Sequence, residues 1–200
     1  MLLRHLGLAR AHLVGHSLGA SIALQLALDA PEVVHSLALL EPALFIGESA
    51  QSYREAQLRS VQCYREAGAA VAVDEALGTR WPGYRAGLDQ VLPDAFDQAV
   101  ADAATVFESD IGALLDWDFG PTEAARIQPP VLIVLGGASP TLHPRFGETY
   151  RLLLEWLPNA EGFVLPGATH FLHLESLSCR RDMAEALTAF FAYHAMGAAL

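Results

Sequence analysis

Five residues near the start of the chain, Gly15-His16-Ser17-Leu18-Gly19, have types and spacing that suit attack on a carbonyl carbon. A serine hydroxyl is a weak nucleophile until an imidazole takes its proton. The imidazole in turn needs a carboxylate to hold its tautomer and stabilise the cation that forms. The flanks of the pentapeptide strengthen this reading. Ala11-His12-Leu13-Val14 is short and mostly apolar, as a buried strand would be, and Ala20 to Leu28 runs without a breaker until Pro31, as a helix would. A strand, a sharp turn and a helix would hold Ser17 in a strained conformation with its hydroxyl facing a cleft, and the two glycines are expected to leave room for the turn. The plainer alternative is a glycine-rich turn whose serine caps the helix. On the first reading the Leu18 N–H, at the start of that helix, is a donor for a developing oxyanion.

The remaining chemistry depends on where the other strands end. His35 to Glu41 is a second short apolar run, stopped by Pro42. Val131-Leu132-Ile133-Val134-Leu135, between Pro129-Pro130 and Gly136-Gly137, is the clearest strand. Glu161 to Leu165, before Pro166-Gly167, is a fourth. Helices are expected at about 145–157 and 180–194, and the end of a helix at 1–10 with Gly7 as its stop. The alternation of strands and helices implies a parallel sheet covered on both faces. In such sheets ligands bind beyond the carboxyl ends of the strands. Ser17, Glu41, the Gly136-to-Pro140 turn and His170 all fall on that rim. His170 directly follows a strand on a glycine-bearing loop, which favours it over His173, His12 and His16. His5, His35, His143 and His194 read as surface or core residues. His12 and His16 lack an obvious third ligand, so no metal is expected.

From Phe45 to about Ile127 the composition shifts to Ala, Glu, Gln and Arg. Tyr53, Ala56, Gln57, Ser60, Val61 and Tyr64 recur at helical spacing, another helical stretch covers about 94–107, and Gly78, Pro82, Gly83 and Gly87 punctuate the chain between them. This segment, 45–127, reads as an inserted helical lid over a core made of 1–44 and 128–200. Trp81, Tyr84, Phe96, Phe107 and Trp117 could shape an apolar substrate pocket beneath it or pack its interior.

Leu13 to Ala20, Leu37 to Pro42, Val131 to Gly136 and Pro166 to Glu175 together resemble the C-terminal two-thirds of a lidded, esterase-like α/β-hydrolase. The resemblance implies a partial α/β-hydrolase fold of four mostly parallel strands, with Ser17 as nucleophile, His170 as base and no cofactor. It departs from the family in two ways. The family usually places an Asp after the strand matching Val131–Leu135, where this chain has Ser139 before Pro140. Some members place the acid after the preceding strand, which here is Glu41. Glu41 is therefore the expected acid, with Asp110, Asp116 and Asp118 as alternatives. The family also carries strands and an oxyanion loop before the nucleophile turn. Their absence would mark the chain as N-terminally truncated and leave a strand edge open to self-association or to a missing segment.

The 200 residues are 52% hydrophobic and 18% charged, which excludes a disordered chain. A net charge of −11 argues against nucleic acid or an anionic membrane as partner. No apolar run reaches membrane-spanning length, no signal peptide opens the chain, and Cys63 and Cys179 have no CxxC spacing, so a cytoplasmic protein is expected. The expected activity is hydrolysis of an apolar ester or related acyl substrate. Thioester, carbon–carbon and perhydrolysis chemistry would use the same residues, whereas chemistry through an Asp nucleophile is disfavoured by Ser17. The competing reading is a non-catalytic hydrolase relic acting as a binding module. A nucleotide-binding sheet is disfavoured by the lack of a Gly-x-Gly-x-x-Gly turn.

Overall fold

The computed structural model describes residues 2–196, with the side chains of Leu2 and Arg4 excepted. Four strands, β1 (Ala11–His16), β2 (Val34–Leu40), β3 (Val131–Gly136) and β4 (Ala160–Leu165), form one sheet in the order β1-β2-β3-β4. Every pairing is parallel. The helices are α1 (Leu2–His5), α2 (Leu18–Asp29), α3 (Ala50–Ala67), α4 (Ala69–Gly78), α5 (Tyr84–Val91), α6 (Ala95–Ala101), α7 (Ile111–Leu115), α8 (Pro121–Ala124), α9 (Ser139–Leu142), α10 (Arg145–Trp156) and α11 (Leu177–Tyr193). Met1, part of the helix end expected at 1–10, lies outside the described residues. Gly7 does take a positive φ of 70° just past α1, as a helix stop requires.

The two central strands explain the sheet. All six residues of β3 are buried. In β2, Leu37 and Leu39 face a core shared with Leu24 of α2 and Leu153 of α10. Ala38 and Leu40 face the opposite core, with Met183 and Phe190 of α11. The period of two in the strand thus feeds two hydrophobic layers. Truncating Leu37 or Leu39 to Ala would cost about 2–5 kcal/mol. β1 and β4 are the outer strands among the described residues, and Val14 and Val164 are exposed on them.

Between β2 and β3 the chain leaves the sheet for helices α3 to α8. This stretch has its own apolar cluster, built on Ala72, Val73, Ala103, Phe107 and Ile111. Two expectations here need correction. The helix expected over 94–107 is broken: α6 ends at Ala101, and Thr105–Asp110 is a π-helical turn that carries Phe107 into the cluster. Gly78 ends α4 and Pro82-Gly83 lie in the turn before α5, as that punctuation implies, but Gly87 is not part of the break. Gly87 lies inside α5, where a Cβ would come within 2.5 Å of the Trp81 indole, so it serves close packing and not a turn.

Candidate active site

Ser17 joins β1 to α2. Its N–H donates to the Leu40 carbonyl at 2.9 Å, and its own carbonyl accepts from the Ala43 N–H at 3.2 Å, so the turn is tied to the strand beside it. The backbone has φ 52° and ψ −119°, and the side chain makes no capping hydrogen bond to α2. The capping alternative is thereby set aside. The hydroxyl instead lies 3.0 Å from Nε2 of His170. Only one of the two glycines is sterically demanded. A Cβ on Gly15 would sit 2.5 Å from the Gly19 carbonyl oxygen, while one on Gly19 would meet nothing within 4 Å. The expectation that both glycines clear the turn therefore holds for Gly15 alone.

Glu41 is the first residue past β2. Its N–H continues the ladder to the Val134 carbonyl at 3.1 Å, and its φ of 46° turns the side chain inward. One carboxylate oxygen accepts the Gly136 N–H at 2.7 Å, and the other lies 2.7 Å from Nδ1 of His170. Among the described non-glycine residues only Ser17, Glu41 and Asp94 have positive φ, so two of the three strained positions fall here.

His170 sits on the loop after β4, which is pinned on both sides. The Thr169 N–H donates to both carboxylate oxygens of Glu175, at 2.9 and 3.0 Å, and the Thr169 hydroxyl donates to the same carboxylate. On the other side, Nε2 of His16 meets the His170 carbonyl at 2.7 Å, which requires that nitrogen to carry the proton. The sequence does not mark Glu175 or His16 as supports of this loop, because neither spacing nor residue type reveals a residue that acts through a backbone group.

The other candidates lie elsewhere. None of Asp110, Asp116 or Asp118 bonds His170. Asp110 lines a separate cavity beside α2, and Asp118 another beside Phe45. His12 pairs with the Ser36 hydroxyl at 2.7 Å, and the His173 ring packs 4.9 Å from that of His16. As the first residue of α2, Leu18 has an amide with no carbonyl one turn earlier in the helix to bond. It lines the same cavity as Ser17.

Burial sets the electrostatics. It pushes the Glu41 carboxyl above its ordinary range, and the Gly136 N–H and the Arg145 charge pull the other way. The Ser139 hydroxyl beside Glu41 also favours the carboxylate, without a well-formed hydrogen bond. His170 is held well below the ordinary imidazole value by burial, and then by the charges of Arg145 and Arg80. It is therefore neutral at neutral pH and able to accept a proton. His16 is lowered to about 3, chiefly by burial and then by its neighbours His170 and His173.

A cavity of about 260 Å³ opens over Ser17 and His170. Its apolar wall includes Ala43, Phe107, Ile111, Leu114 and Phe171, and its polar wall Gln57, Ser60 and Arg80. Of the five aromatic residues expected to shape a pocket, only Phe107 lines this one. Trp117 lines two other cavities, Trp81 packs toward Phe171, and Tyr84 and Phe96 hold Arg85.

Known proteins share this architecture. The family profile described as alpha/beta hydrolase fold matches residues 1–177. A dihydrolipoyllysine-residue acetyltransferase component of the acetoin cleaving system from Pseudomonas putida is 30% identical over 188 residues, covering 88% of this chain and 44% of that protein. A putative esterase/lipase from Haemophilus influenzae is 24% identical over 192 residues, covering 86% and 58%. The chain thus spans about half the length of these curated relatives. The crystal structure of the enol-lactonase from Burkholderia xenovorans LB400 superposes with a TM-score of 0.74 at 25% identity, over 96% of this chain and 69% of that one. The parallel sheet, the serine turn after β1 and the profile match across most of the sequence lead to one conclusion: the chain belongs to the alpha/beta hydrolase fold family.

Proposed function

We propose that the protein is a serine hydrolase of ester or related acyl substrates. The observation that carries this reading is the continuous chain of contacts from the Ser17 hydroxyl through the His170 ring to the buried Glu41 carboxylate. In this mechanism neutral His170 takes the Ser17 proton as the hydroxyl attacks the carbonyl carbon. Glu41 holds the imidazole tautomer and stabilises the imidazolium, and the Leu18 N–H donates to the oxyanion. His170 then returns the proton to the leaving oxygen. Water, deprotonated in turn by His170, releases the acyl group from Ser17. Residues 45–127 act as a lid that keeps the apolar wall of the cavity dry. A reducing, cytoplasmic setting suits the free Cys63 and Cys179. A further strand, from a longer form of the protein or a second copy, would suit the outer edge of β1.

The test is labelling with a fluorophosphonate probe together with turnover of a short-chain nitrophenyl ester. Wild-type protein is expected to label and turn over, and Ser17→Ala and His170→Ala to do neither. Well-folded wild-type protein that fails to label would overturn the reading in favour of a non-catalytic binding module.

A further inference from the structure

Arg145, at the start of α10, is only 5% exposed. Its guanidinium lies between two rings, 4.0 Å from the centroid of Tyr53 and 3.8 Å from that of Phe146. Its Nη1 is buried with no hydrogen-bond partner among the described residues. A buried cation without a counter-ion is costly, and it is kept where something else completes it. Stacking on two aromatic faces supplies part of the compensation but satisfies none of the N–H donors.

Arg145 lines a second cavity of about 260 Å³ together with Arg59, Arg80, His143 and Glu75. This cavity shares Tyr53, Gln57, Ser60, Ala76 and Arg80 with the one over Ser17, so the two adjoin. Arg80 uses one N–H on the Ala76 carbonyl, and among the described residues neither Arg80 nor Arg145 lies within ion-pair distance of a carboxylate. Both are close enough to His170 to depress its basicity. The charged lining of this cavity is three arginines against one glutamate, inside a chain whose net charge is −11. Arg59 and Glu75 are exposed at its mouth, but Arg145 is buried and Arg80 half-buried, so unpaired cationic charge sits deep beside the Ser17 cavity and points to recognition of a bound anion.

We infer that the substrate of the Ser17 site carries a carboxylate, which Arg145 and Arg80 bind while the ester or acyl carbon lies at Ser17. The planar guanidinium offers two parallel N–H donors to such a group, and the apolar wall around Phe107, Ile111 and Leu114 accepts the hydrocarbon part. This inference rests on the hydrolase reading for the position of the scissile bond, but the anion site is tested separately from it.

The test compares monomethyl glutarate with methyl pentanoate, a neutral ester of similar size. Binding to Ser17→Ala protein is measured by calorimetry at fixed ionic strength, and kcat/KM of wild-type protein is measured for the nitrophenyl analogues of both. The anionic ester is expected to bind at least about tenfold more tightly and to be favoured by a similar ratio in kcat/KM. Arg145→Met and Arg80→Met should each collapse that ratio toward one, and Arg80→Lys should keep part of it. Arg145 is buried and its replacement perturbs the core, so the Arg80 pair of variants keeps the test decisive. Equal affinity for the two esters, or a preference that survives in Arg80→Met, would overturn the inference. Anion binding without fluorophosphonate labelling would leave the anion site standing and remove the hydrolase reading. Labelling without anion preference would do the reverse.

Discussion

Glu41 and His170 are 129 residues apart in sequence, and their side chains meet at 2.7 Å with each 1% exposed. The carboxylate arrives from the end of β2, while the turn after β3 presents Ser139, buried beside it. The carboxylate that meets His170 thus comes from the end of β2 and not from the turn after β3. On the proposed mechanism, Glu41→Gln leaves shape and packing nearly intact but removes the charge that stabilises imidazolium. Turnover is expected to fall by about 10³–10⁴, while the equivalent change at Asp110 leaves it within a few-fold. The double variant Glu41→Gln, Ser139→Asp should regain part of the loss, measured as kcat on a nitrophenyl ester.

The two glycines of the serine turn should behave differently. Gly15→Ala forces a Cβ against the Gly19 carbonyl and should lower the melting temperature sharply, with a cost of at least about 2 kcal/mol. Gly19→Ala has open space at the first turn of a helix and should be neutral or slightly stabilising, by up to about 1 kcal/mol. A thermal melt of the two variants side by side decides it.

Acid should weaken the fold through buried imidazoles. His16 has a folded-state pKa lowered to about 3, against 6.5 when exposed. A histidine depressed in this way contributes its stability fully above pH 6.5. The contribution is lost as pH falls from 6.5 toward 3, because the unfolded chain takes up the proton first. Full loss would amount to roughly 5 kcal/mol. His170, His173, His143 and His12 are shifted in the same direction. Denaturant midpoints measured from pH 7.5 to 5 should therefore fall steadily, and His16→Gln should flatten the slope.

The rate profile should carry the signature of His170. A base lowered below 6.5 stays neutral at mildly acid pH, so the acid limb of kcat/KM is expected to have its midpoint below 6.5. Arg145→Met removes one of the cations that depress it and should move that limb to higher pH, read with a neutral ester.

Glu175 offers a test of positioning. It hydrogen-bonds neither Ser17 nor His170, yet it holds the Thr169 backbone and hydroxyl that precede the histidine. Glu175→Ala should lower kcat by about tenfold or more with little change in KM, and Glu175→Gln should recover part of it because the amide oxygen still accepts from Thr169.

Much of this was legible because the signals were local. β3 is a β-branched run between Pro-Pro and Gly-Gly, and the four strands lie within a residue or so of their expected bounds. Ser17, Glu41 and His170 could be singled out because each follows a strand, and a parallel sheet brings such ends to one rim. The insertion was less legible. Its helices are short, and the π-helical turn around Phe107 and the packing of Trp81 on Gly87 depend on tertiary contacts that leave no periodicity. Arg145 is illegible in the sequence for a related reason. An arginine at the start of an amphipathic helix reads as a surface residue, and only the fold puts Tyr53 and Phe146 on either side of it.

The arrangement of the sheet also has a kinetic consequence. β2 and β3 pair only after the chain between Leu40 and Val131 has been looped out, and His170 arrives with β4, 153 residues after Ser17. Such closures cost entropy before any contact repays it, and pairing over long separations slows folding. Helices inside the insertion need no such closure. In refolding from denaturant, helical circular dichroism is expected to return first and reactivity toward the fluorophosphonate probe last. The cluster of Ser17, Glu41 and His170 would then report the completion of the fold, since it exists only once both ends of the polypeptide have found each other.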